Sequence, residues 1–133
     1  MWRDVRPLNN EELSCFEKEF SFRIHPCFRD FILTHNAGTP SGAVFYTTKR
    51  QRRVCWLLDF SDTRGPKGAW AINRRLQSRI GPNRIIVGRD HDLNYILLEK
   101  ESPAMQKVVV WAHTTMEFED CAVDLSAFIR IIS

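Results

Sequence analysis

Apolar side chains recur at helical spacing in four segments of the chain. Within 26–35 they stand at i, i+3, i+4 and i+7, at Phe28, Phe31, Ile32 and His35. This spacing predicts a helix with one apolar face, and Pro26 suits its first turn because its missing N–H needs no partner there. The same spacing predicts three more helices: one that begins near Asn9, one over 69–79 and one over 124–132.

Other segments alternate with a period of two, which indicates strands with one buried face. In 52–60 one face carries Val54, Trp56, Leu58 and Phe60, and the other carries Arg53, Cys55, Leu57 and Asp59. A strand over 43–47 precedes this segment across a short polar turn, so we predict an antiparallel hairpin. Three further strands are predicted after the third helix, over 84–89, 94–100 and 107–113.

The resulting order of elements is ααββαβββα over a chain of 133 residues. A chain of this length without an internal repeat or a linker predicts a single domain over 1–133. Consecutive strands mixed with helices favour the α+β class over a doubly wound parallel sheet. We therefore predict a twisted, largely antiparallel sheet of about five to six strands packed against helices.

The segment after the second predicted helix reads Asn36-Ala37-Gly38. Asparagine and glycine tolerate left-handed backbone better than other residues. We therefore expect Asn36 and Gly38 to supply the left-handed turn that ends the helix.

Four cysteines, Cys15, Cys27, Cys55 and Cys121, are widely spaced and form no C-x-x-C pair. Cys15 and Cys55 lie within or beside apolar stripes, so we expect reduced and mostly buried thiols that act as small hydrophobic residues. No apolar run reaches the roughly 20 residues of a membrane span, and the first residues lack the apolar core of a secretory signal. We expect a cytoplasmic protein that does not associate with a membrane.

The net charge of +3 is unevenly distributed along the chain. Residues 49–89 carry 11 basic and 2 acidic groups, a net charge of +9, whereas residues 90–133 carry 3 basic and 8 acidic groups, a net charge of −5. Such asymmetry is typical of a surface that faces an anion or a partner. The alternative is that folding interleaves the two blocks, so that opposite charges neutralise one another.

No motif in the chain predicts catalysis, and we assign no catalytic residue, metal ligand or cofactor. The histidines do not follow zinc-binding spacing, and we expect His25 and His35 to have structural roles. Two alternatives stay open: the cluster Arg89-Asp90-His91-Asp92 as a metal or acid–base site, and Cys27 with His25 as a nucleophile–base pair. A solvated hairpin turn also explains the cluster, and no third group in the sequence orients the pair.

Four segments together resemble the SUKH superfamily, which includes the yeast cell-wall-assembly regulator domain and many bacterial immunity proteins. The segment IHPCFRDFILTHNAG resembles that family's signature, which closes on Asn-Gly-Gly. The segments IIVGRDHDLNYILLE, VVVWAH and VDLSAFIRII resemble its central strands and its closing helix. Three positions depart from the pattern: Ala37 and Leu93 stand where glycines are expected, and Glu99 stands in place of Asp.

The resemblance implies a binding module rather than an enzyme. For a bacterial member it implies an immunity protein that neutralises a polymorphic or contact-dependent toxin by direct binding, so the expected partner is a toxin domain. We expect the contact residues to be exposed polar and aromatic groups of the hairpins: Arg50, Arg52, Arg53, Trp56, Asp90, His91, Asp92 and Asn94. The alternative is a nucleic-acid-associated or regulatory protein that uses the basic residues 49–53.

Overall fold

The computed structural model describes all 133 residues and contains four helices and eight strands. The helices are α1 (Asn10–Glu19), α2 (Pro26–His35), α3 (Ala69–Ile80) and α4 (Leu125–Ile132). The strands are β1 (Trp2–Arg3), β2 (Thr39–Pro40), β3 (Val44–Tyr46), β4 (Gln51–Leu57), β5 (Arg84–Asp90), β6 (Tyr95–Ser102), β7 (Met105–Ala112) and β8 (Glu117–Asp120). The α+β class, the four helices and the five predicted strands are confirmed, whereas the short strands β1, β2 and β8 were not predicted.

Strands β3 to β8 form one antiparallel sheet in sequential order, and β1 pairs separately with β2. In a meander of this kind, every second connection lies at the same end of the sheet. The turns 47–50, 91–94 and 113–116 therefore share one end of the sheet. The β6–β7 turn and the connection through α3 lie at the opposite end.

The sheet curls until its two edges meet at the end that holds these three turns. An isolated bridge joins Thr47, after β3, to Cys121, after β8. Next to it, the Thr48 N–H donates a hydrogen bond to the Asp120 carbonyl over 2.9 Å. The first and last strands of the sheet are thus neighbours, and turns from distant parts of the sequence surround one opening.

Three of the helices begin with residues that favour a helix start. Asn9 precedes α1 in a capping box, because its side chain accepts from the Glu12 N–H and the Glu12 carboxylate accepts from the Asn9 N–H. Pro26 occupies the first turn of α2, and the Asp124 side chain caps α4 by accepting from the Ala127 N–H. None of the four helices has the length and apolar content that crossing a membrane requires.

Phenylalanine side chains from the helices and the sheet fill the core. Phe28 of α2 and Phe128 of α4 are buried with their ring centroids 6.5 Å apart. Phe45 of β3 meets Phe128 edge-on at 5.1 Å. Phe31 and Ile32 are buried beside Phe28, as the helical spacing predicts. The stripe of α2 therefore forms part of the core between the helices and the sheet.

The turn after α2 differs from the prediction at Asn36 and Gly38. Asn36 has a φ of −50°, and the left-handed residue is Ala37, with a φ of +62°. The buried Asn36 side chain donates to the Asp59 carboxylate at 2.9 Å and accepts from the Phe60 N–H at 2.7 Å, so it joins α2 to the loop after β4. Gly38 is required for space, because a β-carbon there would lie 2.9 Å from a backbone carbonyl oxygen of α2.

Replacing Ala37 with glycine is expected to stabilise the fold by up to about 1 kcal/mol. Glycine removes the cost of a β-carbon in left-handed backbone, which exceeds the entropy that it adds to the unfolded chain. The neighbouring change Gly38→Ala should destabilise the fold by roughly 1–3 kcal/mol, because the added β-carbon would also lie 3.0 Å from the side chains of Trp2 and Val5. Urea unfolding measures both variants, and a less stable Ala37→Gly protein would contradict this description of the turn.

All four cysteines are free thiols, but the expected burial is wrong for Cys15, which is exposed. Leu13 and Phe16 define the buried face of α1, and a residue two positions after Leu13 lies on the opposite side of the helix. Cys27, Cys55 and Cys121 are half-buried.

Candidate functional site

The three turns at one end of the curled sheet form the candidate site, which we call the hairpin end. It comprises the turns 47–50, 91–94 and 113–116. Residues from all three turns, among them Arg50 and Thr115, line one cavity of about 260 Å³. The turns therefore converge on a single opening rather than project independently.

Arg52 of β4 lies beneath the hairpin end and is only 5% exposed. Its side chain points inward together with Val54, because alternate residues of a strand share a face. The guanidinium donates to Glu119 of β8 at 2.9 Å from Nη2 and at 3.2 Å from Nε, and to Asp90 of β5 at 3.3 Å from Nη1. The predicted exposure of Arg52 is therefore wrong, since its charge joins three strands.

The two carboxylates that Arg52 contacts are buried and receive further hydrogen bonds. Thr47 Oγ1 donates to Glu119 Oε1 at 2.9 Å. Asp90 accepts from the Asn94 N–H at 2.9 Å and from Asn94 Nδ2 at 3.0 Å. The predicted exposure is also wrong for Asp90 and Asn94, because both side chains hold the 91–94 turn from inside.

Asn94 extends this network to the third turn. Its Oδ1 accepts from the His113 N–H at 2.9 Å and from His113 Nδ1 at 2.6 Å. Since an amide oxygen only accepts, His113 Nδ1 carries a hydrogen. We use the name buried ionic cluster for the side chains of Thr47, Arg52, Asp90, Asn94 and Glu119. This cluster ties the three turns to one another and fixes the shape of the hairpin end.

Two buried or half-buried carboxyl groups have lowered pKa values. Burial alone would raise the pKa of Glu119, but the hydrogen bonds from Arg52 and Thr47 and the charge of Arg52 outweigh burial and hold it below its usual value. Burial would likewise raise the pKa of Asp59, and hydrogen bonds, led by that of Ser61, lower it by more. Both groups are therefore held as carboxylates in the folded chain.

Acid is expected to destabilise the fold once the pH falls below about 4.5. A carboxyl group with a lowered folded-state pKa stabilises the fold above its unfolded pKa, 4.5 for Glu119 and 3.8 for Asp59. This stabilisation is lost as the pH falls through the folded pKa. Urea titrations from about pH 7 to about pH 2 measure the decline. The Glu119→Gln protein should decline less steeply than the parent, and parallel curves would contradict the lowered pKa of Glu119.

Acidic residues from later in the sequence neutralise much of the basic β3–β4 hairpin. Lys49 Nζ lies 3.1 Å from Glu117, and Arg52 belongs to the buried ionic cluster. Folding thus brings acidic residues of 90–133 beside basic residues of 49–89 at this end. This agrees with the alternative in which opposite charges neutralise one another. Arg50 lies 3.8 Å from its nearest carboxylate, and Arg53 has none within 4 Å. These two exposed arginines supply the accessible positive charge.

Of the remaining predicted contact residues, His91 and Asp92 lie at the hairpin end, whereas Trp56 lines a cavity with the loop that follows β4. His91 and Asp92 are exposed in the 91–94 turn and line, with Arg53, a second cavity of about 330 Å³. Trp56 is half-buried, because a bulge between Val54 and Trp56 shifts the register and moves it off the predicted apolar face. Four of the eight predicted residues are therefore exposed at this end: Arg50, Arg53, His91 and Asp92.

The sequence prediction missed the whole 113–116 turn as part of the site. Because β8 was not predicted, no hairpin was expected after β7. The available signal was the pair Thr114-Thr115 between two segments with aromatic residues. It is weak, because threonine is as common in strands as in turns.

The pair formed by His25 and Cys27 lies at the start of α2. Cys27 Sγ is 3.0 Å from His25 Nδ1, which also accepts from the Cys27 N–H at 3.2 Å. Burial raises the pKa of the Cys27 thiol, which opposes formation of a thiolate nucleophile. The histidine is a helix cap, in agreement with its predicted structural role.

No cluster of three or more His, Cys, Asp or Glu side chains has the arrangement of a metal site.

A family model described as the SMI1 / KNR4 family (SUKH-1) matches residues 7–131 of the chain. Comparison with curated proteins and with solved structures gives no match. The matched region contains all four helices except the last residue of α4, the whole six-stranded sheet and the hairpin end.

Proposed function

The chain belongs to the SMI1 / KNR4 family (SUKH-1), and we propose that it is a non-enzymatic protein whose hairpin end docks on a protein partner. Domains of this family are known generally as immunity proteins and regulators. In this proposal the chain is a cytoplasmic immunity protein. It neutralises a toxin domain by covering the toxin's functional surface, so no substrate is turned over.

The convergence of three turns on one opening is the observation that carries this proposal. Exposed turns on a rigid scaffold are a common way to build a binding surface. The buried ionic cluster holds the turns in place before any partner arrives, because Arg52 joins Asp90 of one hairpin to Glu119 of another. A surface that is already ordered loses little conformational entropy when it docks.

The exposed charges at the hairpin end favour a protein partner over a nucleic acid. Arg50 and Arg53 are accessible, but Asp92 and Glu117 are exposed beside them. A surface that binds a phosphate backbone needs cations that are not accompanied by carboxylates, because each phosphate is negative. Alternating charges suit the mixed surface of a folded protein.

Complex formation with the toxin domain encoded beside the gene tests the proposal. The purified chain and a catalytically inactivated form of that domain should elute as one stoichiometric complex in size-exclusion chromatography. Co-expression of the chain should protect cells from the active toxin. Absence of a complex, or protection without one, would contradict neutralisation by direct binding.

Charge reversal at Arg50 and Arg53 is expected to weaken this complex at least about tenfold, because charge repulsion across an interface is strongly unfavourable. Titration calorimetry with the double variant Arg50→Glu/Arg53→Glu measures the change. The matched control is Arg64→Glu, which reverses an exposed arginine in the loop between β4 and α3, at the opposite end of the sheet. Equal affinities of the parent and the double variant would remove the hairpin end from the contact surface.

A further inference from the structure

Two large apolar residues at the hairpin end have left-handed backbone. Leu93 has a φ of +65° and Met116 has a φ of +60°. They belong to the turns 91–94 and 113–116, whose neighbouring residues Asp92, Asn94 and Thr115 line the cavity of about 260 Å³. The other three non-glycine residues with positive φ are polar or small: Asp4, Ser21 and Ala37.

The folded chain gains little from either apolar side chain. Leu93 is 52% exposed and Met116 is 56% exposed, so each leaves much of its surface in water. Left-handed backbone is unfavourable for a residue with a β-carbon, whereas glycine adopts it readily. Backbone strain without a packing benefit is a feature of functional sites, where another interaction compensates for it.

Hydrogen bonds within the turns hold both strained residues in place. The Leu93 N–H donates to the Asp90 carbonyl at 3.1 Å, and the Leu93 carbonyl accepts from Arg89 Nη2 at 2.5 Å. The Met116 N–H donates to the Ala112 carbonyl at 2.7 Å. The two apolar side chains are therefore presented from fixed backbone rather than from mobile tips.

We propose that Leu93 and Met116 insert together into an apolar recess on the toxin domain. This inference rests on the proposed function and specifies which feature of the partner the hairpin end recognises. Arg50 lines the same cavity as the 113–116 turn, and Arg53 lies beside the 91–94 turn. Charge complementarity therefore places carboxylates opposite Arg50 and Arg53, and cations opposite Asp92 and Glu117, around the partner's recess. Interfaces with an apolar centre and a polar rim have this arrangement.

Replacing Leu93 or Met116 with glycine distinguishes a role in docking from a role in folding, because glycine removes both the apolar side chain and the backbone strain. The dissociation constant for the inactivated toxin domain encoded beside the gene should rise at least about tenfold in Leu93→Gly and in Met116→Gly. The midpoint of thermal unfolding should stay unchanged or rise by up to about 5 °C. A purely structural role predicts the opposite result, a lower midpoint with an unchanged dissociation constant.

Two further variants make the test specific. Asparagine also tolerates left-handed backbone, so Leu93→Asn should weaken binding as glycine does if the apolar side chain is the cause. Met105 is 61% exposed in the β6–β7 hairpin at the opposite end, so Met105→Ala should alter neither binding nor the midpoint.

The outcomes distinguish this inference from the proposed function. A tight complex of the parent with unchanged affinity in both glycine variants would overturn the insertion of Leu93 and Met116 but leave the proposed function standing. Parent-like binding by Leu93→Asn would overturn the role of the Leu93 side chain. Absence of a complex with the parent chain would overturn the proposed function and the docking role together.

Discussion

Replacing Arg52 with methionine is expected to lower the free energy of unfolding by about 3–5 kcal/mol. In the parent the guanidinium lies 2.9 Å from Glu119 and 3.3 Å from Asp90, and all three side chains are buried. Methionine fills much of the same space but leaves two buried carboxylates without a cation. Buried charges that lose their partner are far more destabilising than a broken surface ion pair. Urea unfolding at neutral pH measures the difference.

Two controls assign this loss to the buried ionic cluster. Arg50→Met makes the same change at an exposed position, where the nearest carboxylate is 3.8 Å away, and should cost less than about 1 kcal/mol. The combination Arg52→Met/Asp90→Asn/Glu119→Gln should recover part of the stability, because it also removes the uncompensated charges. If Arg52→Met lost no more stability than Arg50→Met, the cluster would not hold the three turns together.

Truncation of Phe28 to alanine is expected to destabilise the fold by a similar amount, about 3–5 kcal/mol. Phe28 is fully buried, with its ring 5.9 Å from that of Phe31 and 6.5 Å from that of Phe128. The truncation removes apolar surface from the core and leaves a cavity between α2 and α4. Chemical denaturation measures the loss, and a change below about 1 kcal/mol would contradict the place of α2 in the core.

A change at a surface position of α4 provides the control for Phe28→Ala. Ile131 is 45% exposed on α4, and Ile131→Ala should cost less than about 1 kcal/mol. Phe28 belongs to none of the three turns and lines neither cavity at the hairpin end, so folded Phe28→Ala protein should bind the toxin domain with nearly the parent's affinity. A large loss of affinity in the folded fraction would show that α2 takes part in recognition.

Helix α2 could be predicted with its observed ends because several local signals agree. Pro26 favours the first turn, and the spacing of Phe28, Phe31 and Ile32 favours one buried face. Each of these signals acts within one or two helical turns. The structure has α2 at Pro26–His35, as the spacing predicts.

The buried ionic cluster could not be predicted in the same way, because its members are distant in sequence. Arg52 is 38 residues from Asp90 and 67 residues from Glu119. The alternation in β4 already places Arg52 on the face of Val54, but an arginine is expected at the surface unless acidic partners are known. The pairing of β4 with β5 places Asp90 beside Arg52, and the curl of the sheet, which brings β8 beside β3, places Glu119 there.

The turn 113–116 could not be predicted for a different reason. Strand β8, Glu117–Asp120, has the sequence EFED, which is too short and acidic to show an apolar alternation. Its pairing with β7 depends on tertiary context rather than on local propensity. When β8 is not predicted, the hairpin turn 113–116 is not predicted either. The sequence then gives no indication that Met116, like Leu93, is an exposed apolar residue of a hairpin turn.

Hydrogen–deuterium exchange of the complex with the inactivated toxin domain tests most directly whether the hairpin end is the contact surface. Amides in surface turns exchange through local opening in a free protein, and this exchange slows when a partner covers them. We predict slower exchange in the turns 47–50, 91–94 and 113–116, with unchanged exchange at Ala104 of the β6–β7 hairpin. Protection confined to Ala104 or to α3, with the three turns exchanging as in the free chain, would contradict the proposed docking surface.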